Sequence, residues 1–218
     1  MEKLVYLLWR DAEEDAGSFA KRSVESAGPA LVRLGASEVA LHVADGEADL
    51  GRSVPVRDAH DPFAGSASFW LPNVDDRAGF EAILREASAR IAGYLVTESV
   101  PRDFDRRDWP DGARCPGAVM ISVFPQPARL SREAFRLRWH GSHTPLALEV
   151  HPLWRYVRNV VRAGSRRARP RTPGSSRSTC ASPKTCSIRS ASTADRSARS
   201  ATSRASSTTR RASSTSST

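Results

Sequence analysis

Two histidines three residues apart, His140 and His143, lie in the stretch RWHGSHTP (Arg138–Pro145), on either side of Gly141-Ser142 and just after Trp139. A little further on, WRYVRNVV (Trp154–Val161) supplies Arg155, Tyr156 and Asn159. An imidazole with an ordinary pKa of about 6.5 can give or take a proton near neutral pH, so His143 is a candidate general acid or base. The same histidine could instead cap helix carbonyls or hydrogen-bond inside the fold. Trp139 and Tyr156 suit the wall of an apolar pocket, and equally a plain core. Arg155 could orient an anionic or carbonyl group, or point to solvent from an alternating strand. Asn159 could hold a substrate or satisfy a buried backbone group.

Other chemistry is excluded more simply. A His140/His143 spacing with no Glu beside it is not a metal-binding pattern, and no metal is assigned. His151 reads as a surface histidine, and His42 and His60, with no partner pattern, read as structural or surface residues. Asp75-Asp76 are helix-start charges rather than a catalytic dyad. No glycine-rich phosphate loop, GxSxG elbow or HExxH stretch occurs. The three cysteines, Cys115, Cys180 and Cys186, are irregularly spaced, which fits neither a disulfide framework nor a zinc site.

The elements that must position these residues follow from periodicity. Lys3–Trp9 is an apolar strand, and Asp15–Leu34 has helical spacing through Phe19, Val24, Leu31 and Leu34. Val39, Leu41 and Val43 alternate as a second strand, and Ser66–Leu71 reads as a third. Asn73 can cap a helix over Asp75–Ile91, and Gly93–Val100 closes the set. The order βαββαβ is ferredoxin-like. Ala118–Phe124 then repeats the first strand, Ser131–Leu148 the first helix and Trp154–Val161 the second strand. Phe19 and Phe135, like Pro29 and Pro145, fall 116 residues apart. The expected fold is therefore α+β, with two ferredoxin-like units packed sheet to sheet as a barrel, the second one truncated. Residues 1–102 form the first unit, 103–117 a linker, 118–163 the start of the second unit and 164–218 a tail.

The segment FRLRWHGSHTPLALEVHPLWRYVRNVV (Phe135–Val161) resembles the EthD family of dimeric α/β-barrel proteins. Its features are an aromatic residue and His-x-Pro toward the end of the first helix, then Arg-Tyr-x-x-Asn on the second strand. The linker DRRDWPDG is similar to that of tandem members. This resemblance implies a small hydrophobic ligand, aromatic or polyketide-like, and cofactor-independent monooxygenase, dehydratase or isomerase chemistry. It further implies His143 as the acid or base, with Trp139, His140, Arg155, Tyr156 and Asn159 facing the ligand. In the first unit Ser23 stands opposite Trp139 and Ala27 opposite His143, so any such site belongs to the second unit. A non-catalytic ligand-binding or accessory barrel is the alternative from a different class.

Charge divides the chain sharply. The formal net charge is +9, yet Met1–Ala163 holds 21 of the 33 Lys and Arg residues and 23 of the 24 Asp and Glu. All the positive excess lies in the Arg/Ser/Thr-rich tail, where Ile188 is the only large aliphatic or aromatic residue. A nucleic-acid binder acting through this basic tail is the second alternative, disfavoured because the tail lacks interleaved aromatics and a regular repeat. Translation one base out of frame explains the composition: GSSRSTCASPKTCSIRSAS (Gly174–Ser192) then permits GIVELDLRFAEDLLDPERF, an alternating strand followed by an acidic helix start. The other source is a genuine disordered tail. Either way the tail is expected to be unstructured, leaving strand edges of the second unit exposed and prone to self-association. No apolar run approaches 18 residues and no signal-peptide core is present, so a cytoplasmic protein without membrane contact is expected.

Overall fold

The computed structural model describes residues 1–45 and 63–164, together with 186–193, with backbone alone for 163–164 and 186–193. His60, Cys180 and the rest of the tail lie outside the described residues.

Strand β1 (Glu2–Trp9) opens the chain and is buried along nearly its whole length. Helix α1 (Ala16–Arg22) follows, capped by Asp15, whose carboxylate accepts the Ser18 N–H at 2.9 Å. The capping carboxylate satisfies an amide that the first helical turn leaves without a partner. The helical run passes through a π turn at Ser23–Ala27 and continues as α2 (Gly28–Arg33). Strands β2 (Ser37–Val43) and β3 (Gly65–Leu71) come next. A 3-10 turn (Val74–Arg77) leads into α3 (Ala78–Glu86), and β4 (Arg90–Arg102) completes the first half.

The second half begins in the same way, at a fixed distance. Strand β5 (Ala118–Pro125) starts and ends 116 residues after β1. Helix α4 (Arg132–Leu137) begins 116 after α1, and α5 (Thr144–Val150) begins 116 after α2. Between them a π turn spans Arg138–His143. Even the cap is repeated: Ser131 Oγ accepts the Ala134 N–H at 3.1 Å. Strand β6 (Leu153–Gly164) follows, and β7 (Cys186–Thr193) is the last strand described.

All seven strands form one antiparallel sheet in the order β2-β3-β1-β4-β6-β7-β5. The two halves join edge to edge, with β4 on β6 (Val96 opposite Val161, Glu98 opposite Asn159). One face of the first half carries the helices over a core of Leu4, Tyr6, Leu8, Phe19, Leu31, Phe69, Phe80 and Leu84. Tyr6 stacks on Phe69 at 5.6 Å, and a side chain at Gly93 would collide with the Tyr6 ring. On the other face Val5, Val96 and Val161 pack with Ile121 and Val123. Strand β5 is the far edge of the sheet from β1 and β4, so contact between these residues requires the sheet to curl over on itself. This curl buries alternating positions on both faces of β1.

Two expectations are revised. The second helix ends at Glu86 rather than Ile91, because Ile91 belongs to β4, opposite Leu8, and packs on the helix-face core from there. The tail is also not wholly without structure: Cys186–Thr193 pairs with β5 on one side and β6 on the other. Strand pairing uses backbone N–H and C=O groups, which every non-proline residue carries, and β5 and β6 both present edges to be satisfied. A Ser- and Thr-rich segment can therefore complete a ladder without an apolar pattern.

Candidate ligand layer in the second half

The run α4–π turn–α5 lies against β5 and β6 through aromatic contacts. Trp139, on the π turn, is 4% exposed and meets Phe124 of β5 edge to face at 5.2 Å. Phe135 lies 5.9 Å from Trp139 on the same run. From β6, Tyr156 is 1% exposed and packs with Ala147 and Leu153. A short hydrogen-bonded chain links helix to strand: Arg158 Nη1 donates to Thr144 Oγ1 at 3.0 Å, and Thr144 Oγ1 donates to the Trp139 carbonyl at 2.8 Å. The Thr144 bond reaches a carbonyl within the widened turn. π turns of this kind recur at functional sites.

Polar atoms in this layer lack partners. Trp139 Nε1, His140 Nε2 and the Tyr156 hydroxyl are all buried with no hydrogen-bond partner. Burying such groups unpaired typically costs about 1–3 kcal/mol each, and native proteins rarely concentrate them. The His140 ring stands edge to face with Trp139 at 5.0 Å. Burial, then the charges of Arg158 and Arg136, hold its pKa below the ordinary histidine value, so the imidazole is neutral at pH 7. His143 is exposed on the same π turn, in the middle of the helical run rather than toward its end, with seven helical residues following it.

Strand alternation sends the remaining predicted residues to the opposite, concave face. Asn159 is 5% exposed, faces Glu98 in the ladder and leaves Oδ1 without a partner. Arg155 forms an ion pair with Asp103 at 2.9 Å and lies over the Phe104 ring. The six candidate positions therefore fall into two groups, with Trp139, His140, His143 and Tyr156 on the helix side and Arg155 and Asn159 within the curl.

The concave face also carries residues that sequence reasoning passed over. Lys3 is paired with Glu98, both side chains about a tenth exposed, and its ammonium lies 5.8 Å from the centre of the Trp70 ring. His42 Nδ1 is 3.2 Å from Ser66 Oγ. Burial, reinforced by Arg155 and Lys3, pushes the His42 pKa down to about 4. One signal was available: Lys3 is a charge at the start of an otherwise apolar strand, in phase with Val5 and Leu7. His42 had no such mark.

Among the described residues no three His, Cys, Asp or Glu side chains come together as a metal-binding group. None of the described helices is long and apolar enough to cross a membrane. The chain matches no family model, no curated protein and no solved structure.

Proposed function

We propose that this chain is an EthD-type protein, built from two ferredoxin-like units, that binds a small aromatic or polyketide-like molecule between helix and sheet of the second unit. The strand order supports the architecture. Unit one runs β2-β3-β1-β4, and β6-β7-β5 repeats its second, third and first positions. The observation that carries the ligand reading is the set of unpartnered polar atoms, Trp139 Nε1, His140 Nε2 and Tyr156 Oη, embedded among aromatic rings. A flat, mostly apolar molecule with one or two polar groups would satisfy both the rings and the atoms.

Calorimetric titration of the full chain with 2-naphthol tests this reading. Tyr156→Phe removes an unpaired hydroxyl while keeping the ring, so stability without ligand should be unchanged or slightly higher. Affinity for 2-naphthol should nevertheless drop about tenfold, the loss of one buried hydrogen bond. Unchanged affinity, or destabilisation of the ligand-free chain, would mean that the hydroxyl is structural.

A catalytic reading rests on the histidines. In this reading His140, its pKa held below the ordinary histidine value and its ring against Trp139, takes a proton from a bound phenol or enol. The EthD resemblance gives that role to His143. Loss of substrate conversion with binding intact in His140→Ala alone assigns the proton transfer to His140, and the same loss in His143→Ala alone assigns it to His143. Binding without conversion by the unaltered chain supports the accessory, non-catalytic barrel.

A further inference from the structure

Beside the aromatic layer an open groove of about 650 Å³ runs along α4 and the π turn, lined by Arg132, Glu133, Arg136, Leu137, His140 and Gly141. Its polar lining is mainly basic, with Glu133 the only acid. Arg136 Nε and His140 Nε2 are buried without a hydrogen-bond partner, and so is Nε of neighbouring Arg158. Among the described residues no carboxylate lies within salt-bridge distance of Arg132, Arg136 or Arg158. Elsewhere the described arginines are commonly matched, as Arg22 is by Glu14 and Arg85 by Glu81.

The cationic groups also disfavour one another. Burial lowers the Arg136 pKa, and the charges of Arg132 and Arg162 lower it further. Burial likewise lowers Arg158, while His140 feels both Arg158 and Arg136 after burial. Arginines gathered with no carboxylate paired to them, Glu133 included, and with the Nε–H donors of Arg136 and Arg158 left over, are the complement of an oxyanion.

We propose that the groove makes the ligand an anion: its carboxylate or phosphate sits between Arg136, Arg132 and His140, with its aromatic body against the Trp139 side of the helix. This inference rests on the small-molecule reading above and specifies the charge of the ligand. Arg158, already donating to Thr144, would act by its field and by holding the strand against the turn. The unpaired Nε of Arg136 would find its acceptor in the ligand.

The test is calorimetry on the full chain with 2-naphthoate and its neutral isostere 2-naphthamide, at low and at physiological salt. 2-Naphthoate should bind at least tenfold more tightly than 2-naphthamide, and salt should narrow the gap. Arg136→Gln should abolish the preference and Arg136→Lys should restore part of it, with thermal melts of each variant showing that the fold is retained. Arg132→Gln, at the rim, provides a second variant if Arg136→Gln fails to fold, and should reduce the preference by a smaller factor. Equal binding of the two compounds overturns the anion inference and leaves the ligand reading standing. A preference that survives both glutamine variants places the anion elsewhere and also overturns it. If neither compound binds and 2-naphthol does not either, the ligand reading itself falls.

Discussion

The two halves of this molecule share a backbone plan and differ in what fills it. In the first half twelve buried residues among those described, including Tyr6, Phe19, Phe69, Phe80 and Leu84, make one continuous core between helices and sheet. Among the described residues of the second half, whose side chains are described only as far as Arg162, the corresponding cluster is Ala147, Leu153 and Tyr156, with Leu148 beside it. Unpartnered buried polar atoms are divided the other way. Among the described residues Ser23 and Ser88 carry them in the first half; Arg136, Trp139, His140, Tyr156, Arg158 and Asn159 carry them in the second. Caps, π turns and strand order thus repeat without requiring the interior to repeat. One half has the makings of a scaffold, and the other keeps the polar groups a ligand would use.

Matched truncations should break or sharpen this contrast most strongly. Phe19 and Phe135 occupy equivalent places 116 residues apart, but Phe19 is 0% exposed whereas Phe135 is half-buried. Phe19→Ala should cost about 3–5 kcal/mol, the range for emptying a packed aromatic site. Phe135→Ala should cost less than about 2 kcal/mol, because less apolar surface leaves water there on folding. Urea denaturation of the two variants gives the comparison directly. Equal losses would show that the second half packs as tightly as the first, and the contrast would vanish.

What the sequence discloses follows the same division. Strands such as Lys3–Trp9 and Ala118–Phe124 are legible because burial imposes an apolar pattern, and the 116-residue offset is legible because Phe19/Phe135 and Pro29/Pro145 preserve it. Within the described residues the α+β class and the absence of a membrane-spanning helix accord with that reading. Cys186–Thr193 is not legible, because its pairing is set by the open edges of β5 and β6 rather than by its own residues. The π turns are equally hidden, since a one-residue slip in hydrogen bonding leaves no compositional trace. In the second half Trp139 and Tyr156 can be picked out as aromatic residues suited to a pocket wall or a core, and both are buried. Which side of β6 each neighbour takes is fixed by strand phase; Glu98 meets Lys3 and Asn159 through the pairing of adjacent strands, whereas Arg155 comes within electrostatic reach of His42, four strands away in the sheet, only because the sheet curls.

A smaller effect tests the concave face. The His42 pKa is depressed from 6.5 to about 4, so the folded state favours the neutral ring while the unfolded chain still takes up a proton. The unfolded state therefore binds more protons between these values, and stability falls as pH drops from 6.5 toward 4. The fall should amount to about 2 kcal/mol, less than the full shift implies because the ring keeps some contact with solvent. His42→Gln removes the titrating group beside Ser66, Lys3 and Arg155, and should flatten this part of the stability–pH curve while leaving carboxylate titration in place. An unchanged slope would mean that His42 titrates normally and that the curl is open to water there.

The smallest expected effect lies in the caps, where the halves should behave alike at pH 7 and differ in acid. Ser131→Ala removes the hydroxyl that accepts the Ala134 N–H and should cost about 1 kcal/mol. Asp15→Ala removes the equivalent acceptor for Ser18 and should also lower the urea midpoint at pH 7. The two caps differ in charge. The hydrogen bond from Ser18 holds the Asp15 pKa below its ordinary value, so its contribution is present above the unfolded-state pKa and lost as pH falls through the folded one. The Ser131 hydroxyl does not titrate, and its contribution should be the same at pH 3 as at pH 7. Urea midpoints of both alanine variants against the unaltered chain at the two pH values would show this: the Asp15→Ala deficit should shrink in acid and the Ser131→Ala deficit should persist. If both shrink together, acid is loosening the helices as a whole rather than one cap, and the local equivalence of the two halves would not hold.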